Sequence, residues 1–279
     1  MINGLAIWHY PHRTMEENIR YFAKQGYGAV SVHGAQFVAA LAQGCGEALA
    51  QAVQDCGVIL TVHYALPKTH DSENVLTYQH GINMLAAWQK THGLIHILSF
   101  DVPTPIRNHI VPYLDYAMTQ LSECLVTVED FGLTTAEREQ IEYLKDNSRF
   151  GYLIDIGHMF IRIGGRNKSG KPLFTHSPEE CPVSENPGYD NFMMALSSKE
   201  FPIFEMHLHN NDGENDVHWF LENGSLDIPM IACVVQDLGF DGMMTIESAP
   251  GFKFECRGKN ADDGIEKTFA YWKECCEKR

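Results

Sequence analysis

The sequence predicts a single (β/α)8 barrel over residues 1–279, and three observations carry that reading. Eight short apolar runs alternate with segments of helical period along the 279 residues, and eight such units in about 250 residues is the size of this fold. Most of the runs are nearly continuous in apolar residues, as parallel strands covered on both faces are. No G-x-G-x-x-G turn follows the first run, so an open doubly wound sheet lacks its usual signature.

The expected strands are Ile2–Tyr10, Gly28–His33, Val58–Leu66, Leu94–Val102, Leu125–Phe131, Phe150–His158, Ile203–His209 and Met243–Ser248. Between the first two, Thr14–Lys24 places Met15, Ile19, Tyr21 and Phe22 at helical spacing. Glu47–Asp55 and Glu73–Lys90 follow the same pattern. Pro105–Glu123 holds Pro112, which predicts a kink or a late start because proline lacks the N–H that a helix interior uses. Thr134-Thr135-Ala136-Glu137 has capping-box spacing for a helix reaching about Lys145. Ile228–Leu238 and Ala261–Cys276 supply two more. The connection Ile161–Asn191 carries Gly164, Gly165, Gly170, Pro172, Pro182 and Pro187, and is much longer than the ~15 residues of ordinary loops. Its cations Arg162, Arg166, Lys168 and Lys171 fit either a solvated insertion or a flap over an anionic substrate.

Composition bounds the function. The chain is 44% hydrophobic and 20% charged, a globular balance. No run approaches the roughly 20 apolar residues of a membrane helix, and Met1–Arg13 lacks the pattern of a signal peptide. The eight cysteines form no C-x-x-C pair, so reduced thiols in a cytoplasmic protein are expected. Against 36 Asp and Glu stand 21 Lys and Arg, a formal net charge of −15. Nucleic-acid binders draw most of their affinity from basic faces, so a small-molecule substrate is expected instead.

The chemistry of such a barrel sits at the carboxyl ends of its strands. Those ends here read Trp8-His9-Tyr10, Val32-His33-Gly34, Val62-His63-Tyr64, Ser99-Phe100-Asp101, Val128-Glu129-Asp130, Asp155-Ile156-Gly157-His158, His207-Leu208-His209 and Ile246-Glu247-Ser248. A lone histidine at a strand end is usually a packed residue. Many ionisable groups gathered in one barrel mouth are costly without a cation or substrate to compensate them. Glu129, Asp155, His207 and Glu247 form the leading set, three carboxylates and an imidazole with no Lys or Arg beside them. That donor set suits Mn, Mg, Co or Zn. A second set, His158 with Asp216-Val217-His218, either holds a further metal or contacts substrate. The stretch Asn210-Asn211-Asp212-Gly213 between them is turn chemistry.

At these residues the chain resembles the xylose-isomerase-like TIM-barrel superfamily over nearly its whole length. The series Val128-Glu129-Asp130, Asp155-Ile156-Gly157-His158, His207-Leu208-His209-Asn210-Asn211-Asp212-Gly213, Asp216-Val217-His218 and Thr245-Ile246-Glu247 carries the resemblance. It implies a metal-dependent isomerase or epimerase of a small sugar, polyol or related carbonyl compound. Glu129 and Glu247 then exchange a proton through an enediolate, and His158 contacts substrate. The superfamily also holds dehydratases and the endonuclease IV group, whose multi-zinc phosphoesterase site uses residues matching His63, Glu129 and the D-x-H pair. His9 and His33 are expected to line the substrate pocket, and Trp8 and Tyr10 to wall it or pack in the core. A dimer or tetramer is implied as well.

Overall fold

The computed structural model describes residues 1–130, 133–163, 187–249 and 261–278. Eight parallel strands follow one another in chain order around a closed barrel. They are β1 (Ile2–Ala6), β2 (Ala29–His33), β3 (Ile59–Ala65), β4 (Ile95–Asp101), β5 (Leu125–Glu129), β6 (Phe150–Asp155), β7 (Ile203–Leu208) and β8 (Met243–Ile246). The chain divides into two compact units, Ile2–Leu153 and Ile154–Arg279 with Met1.

In the first unit the helices are α1 (Met15–Lys24), α2 (Gly34–Ala42), α3 (Gly46–Cys56), α4 (Ser72–His92), α5 (Ile110–Gln120) and α6 (Thr135–Ile141). Local chemistry sets their ends. Thr14 and Glu17 form a reciprocal capping box at α1, and Thr134 and Glu137 form the expected one at α6. Asp71 caps α4, and Gly93 closes it at φ 67°, a left-handed conformation that glycine adopts without strain. Pro112 produces the late start: a 3-10 turn spans Thr104–His109 and α5 begins at Ile110. The proline then lies in the first helical turn, where its missing N–H costs nothing. Helix α2 departs from the sequence expectation, in which no element falls between His33 and Glu47.

Several strands stop earlier than their apolar runs suggest. β1 ends at Ala6, and Ile7–His9 forms a 3-10 turn closed by the Tyr10 N–H donating to the Ile7 carbonyl. β6 ends at Asp155, whose Oδ1 accepts the His158 backbone N–H at 2.7 Å. That bond turns the chain into α7 (Ile156–Ile163), so His158 stands on a helix rather than a strand. β7 stops at Leu208 and β8 at Ile246. Yet the Glu247 N–H still donates to the Leu208 carbonyl, which keeps Glu247 in line with the ladder.

The second unit adds α8 (Pro187–Ser197), α9 (Ile228–Asp237) and α10 (Ala261–Glu277). The long connection is shorter than its glycines and prolines imply, because α7 takes its start and α8 its end. Arg162 lies on α7, whereas Arg166, Lys168 and Lys171 fall outside the described residues. Six cysteines, Cys45, Cys56, Cys124, Cys233, Cys275 and Cys276, are free thiols. Among the described residues no helix is long and apolar enough to cross a membrane.

Candidate metal centre

In the first unit the expected substrate contacts gather around one aromatic ring. Trp8 stacks on His63 at 5.6 Å and 12°, and lies 5.3 Å from His9 and 6.3 Å from His33. His33 and His63 are register partners on β2 and β3, which fixes them side by side. His63 Nε2 approaches Glu129 Oε2 at 3.7 Å, and Glu129 is 4% exposed at the end of β5. Tyr10 belongs to the core, fully buried against Phe22.

The second unit brings Asp155, His207 and Glu247 together, with one ligand atom of each within 4.8 Å of the others. All three are buried. His207 Nδ1 lies 3.0 Å from Glu247 Oε2, and its Nε2 lies 3.4 Å from Glu205 Oε1. Glu205 is wholly buried two residues earlier on β7, and accepts the Thr245 hydroxyl at 2.7 Å. Burial opposes a charge on His207, but Glu247 and Glu205 outweigh it and raise its pKa well above the ordinary value. Three buried carboxylates around one imidazole leave an excess of negative charge that a divalent cation would balance.

Beside this set, His158, His209, Asp216 and His218 present four ligand atoms within 4.8 Å of one another. Asp216 Oδ1 lies 2.9 Å from His218 Nε2, 3.2 Å from His158 Nε2 and 3.9 Å from His209 Nε2. His209 Nε2 is also 3.2 Å from Asp155 Oδ1. Even so, His209 Nε2 and Asp155 Oδ2 are buried without a hydrogen bond. Polar atoms packed this closely, but not aimed at each other as donor and acceptor, fit residues that share a cation.

The loop carrying Asp216 and His218 is shaped by Asn210. Its amide donates to the Leu221 and Leu226 carbonyls, and its Oδ1 accepts the Asn211 and Leu226 N–H groups. Asn210 and Trp219 exchange backbone hydrogen bonds across the loop's base. His218 adopts φ 45°, an uncommon conformation for a residue with a side chain, and so turns its ring inward. Glu205 and His209, which the sequence analysis does not single out, lie among these residues. Glu205, His207 and His209 share the period of two along β7, which places them on one face. That period was the signal for Glu205 and His209.

No family model matches the chain. An uncharacterized protein of Methanocaldococcus jannaschii is 23% identical over 163 residues, covering 53% of this chain and 47% of that protein. The chain thus spans about half the length of the curated relative it matches. Solved structures align over nearly its whole length. One is a D-psicose 3-epimerase with D-tagatose from Clostridium cellulolyticum H10, TM-score 0.65 at 11% identity, covering 99% of this chain and 100% of that one. A xylose isomerase domain protein from Alicyclobacillus acidocaldarius gives TM-score 0.66 at 13% identity, over 99% and 98%. A probable 3-DHS dehydratase involved in petrobactin synthesis, from Bacillus anthracis, gives 0.64 at 14% identity, over 98% and 99%. The chain has the closed (β/α)8 barrel fold that these structures share.

Proposed function

We propose that this protein is a divalent-metal-dependent isomerase or epimerase of a small sugar or related carbonyl compound. The observation that carries the reading is the buried convergence of Asp155, His207 and Glu247, whose ligand atoms lie within 4.8 Å of one another. The expected donor set of three carboxylates and one imidazole adds Glu129, which ends β5. Such a set suits Mn, Co, Mg or Zn. A bound divalent ion would supply polarisation of the substrate carbonyl and stabilise the negative charge of the enediolate.

The chain's own residues do the rest. Glu129 or Glu247 removes the proton alpha to the carbonyl and the other returns it, as a general base and acid pair. Both are buried, and exclusion of water protects the enediolate from stray protonation. His9, His33 and His63, grouped on Trp8, supply hydrogen bonds to substrate hydroxyls. A neighbouring structure carries the name of a D-psicose 3-epimerase with D-tagatose, so these two ketohexoses are suitable first probes.

Purified protein loaded with manganese should wash solvent deuterium into D-psicose or D-tagatose. Glu129→Gln and Glu247→Gln should each abolish that exchange while leaving the far-UV circular dichroism unchanged. Exchange that survives both substitutions would remove the two glutamates from the reaction.

The four-residue group around Asp216 favours a second reading, a multi-zinc phosphoesterase. That enzyme would hydrolyse a phosphodiester model substrate in zinc-loaded form, and would give no carbon-bound deuterium. A dehydratase on the same site would release water from its substrate after the same proton abstraction.

A further inference from the structure

We infer that the wall of the barrel carries a small-molecule site apart from its mouth, built on Asn18. It takes a compact neutral molecule that presents one hydroxyl or N–H on an apolar body. The site lies wholly within the unit Ile2–Leu153 and does not depend on the metal-centred reading above.

The amide of Asn18 is the first argument. Asn18 lies on the buried face of α1 with Ile19 and Phe22, and is 3% exposed. An apolar side chain is the ordinary occupant of such a position. Its Nδ2 donates to the Tyr10 carbonyl at 2.9 Å. A carbonyl can only accept, so this bond fixes which way round the amide stands. Asn18 Oδ1 is thereby turned away from Tyr10, and it is buried with no hydrogen-bond partner. Holding the β1–α1 connection accounts for the nitrogen alone. A buried acceptor left over is costly, and a donor brought by a ligand removes that cost.

Space is the second argument. A cavity of about 190 Å³ is lined by Asn18 and walled by Ile7, Tyr10, Met15 and Val32. A void of about 150 Å³ admits a benzene ring, so this one holds a body of about six or seven heavy atoms. Gln36, which is exposed, lies at its edge and marks the way in.

Position and charge are the third. Side chains alternate along a strand, so Val32 points to the face of β2 opposite Ser31 and His33. His33 belongs to the histidine group around Trp8, and the cavity at Val32 is therefore on the outer side of the sheet. Trp8 lines the cavity and also stacks on His63, which makes the indole a partition between the two. Arg13 lines the cavity as well, but its guanidinium lies over the Tyr21 ring at 3.7 Å. What the cavity offers a ligand is then an acceptor, which takes a neutral donor and repels an anion.

Phenol and benzene are the probes, since they share a ring and differ by the hydroxyl. Full-length protein labelled with carbon-13 at the methionine methyls should bind phenol with a shift of the Met15 signal, identified by its loss in Met15→Leu. Met194, half exposed on α8, should not shift. Benzene should bind in the same place about tenfold more weakly, the change that one buried hydrogen bond makes. Asn18→Leu, close in volume, removes the acceptor and should bring phenol to the affinity of benzene. No Met15 shift with phenol, equal binding of the two probes, or a preference for phenol that survives in Asn18→Leu would each overturn the inference. Shifts of equal size at Met15 and Met194 would overturn it too, as unspecific association. If Asn18→Leu does not fold, the comparison of phenol with benzene in the unsubstituted protein decides the matter. The isomerase reading stands or falls separately, on deuterium exchange.

Discussion

At the scale of single residues, the two candidate ligand groups are arranged by what lies beneath and beside them. His207 is held between Glu247 and the buried Glu205, and Glu205 is itself fixed by the Thr245 hydroxyl. Gly157 works by absence. Replacing it with alanine forces the His209 ring to move, and crowding a packed site in this way costs about 1–3 kcal/mol. Gly157→Ala should therefore lower the chemical-denaturation midpoint of the metal-free protein. An unchanged midpoint would show that the His209 ring has room to move aside. His209 shows why some of this escaped the sequence. A histidine just past a strand end is usually packing, and only the rings around Asp216 distinguish it.

Among the elements, the sequence was most informative where the determinants are local. The capping box at Thr134 and the late start of α5 at Pro112 follow from spacing alone. The carboxyl ends of β1 and β6 do not. Ile7 and Ile156 are apolar enough to continue a strand, but ring closure by Tyr10 and capping by Asp155 end it. The loop after β7 depends on one side chain. Asn210 makes four buried hydrogen bonds to the backbone around it. Its removal leaves buried carbonyl and N–H groups unpaired, at about 1–3 kcal/mol for such a group. Asn210→Ala should thus be among the more destabilising substitutions, by about 2–4 kcal/mol in urea unfolding. A loss below about 0.5 kcal/mol, the range of ordinary surface changes, would show that the loop has other supports.

For the molecule as a whole, the charged groups make stability depend on pH and on metal together. In metal-free protein, burial works against a charge on His218, but Glu247 and Asp216 outweigh it and raise its pKa to about 9. That raised value contributes stability below about pH 6.5, the ordinary histidine value, and the contribution is lost as pH rises through about 9. Asp155 has the opposite sign. Burial would raise its pKa, but His158 and His209 outweigh it and hold it at about 2. Its contribution is present above about pH 4 and lost as pH falls through about 2. The EDTA-treated protein should accordingly show its highest melting temperature between about pH 4 and 6.5, declining toward pH 9. Adding zinc should remove the alkaline decline, because the cation replaces the imidazole proton and binds more tightly as pH rises. An alkaline decline of the same depth with and without zinc would argue that no ion sits among these imidazoles.

The sequence by itself determined the barrel and the kinds of ligand at its strand ends. Apolar period and capping are local, and a parallel strand buried on both faces leaves few other places for a histidine or carboxylate than its ends. Which of these side chains meet follows from how the chain folds back on itself. Asp155 and His158, three residues apart, are brought against each other and against His209 because a helix begins between them. Glu205 and His209 gain their roles from Thr245, Gly157 and Asp216, which lie from 7 to 52 positions away in the chain. Spacing cannot state contacts of that kind, since they depend on how the chain folds back after each strand.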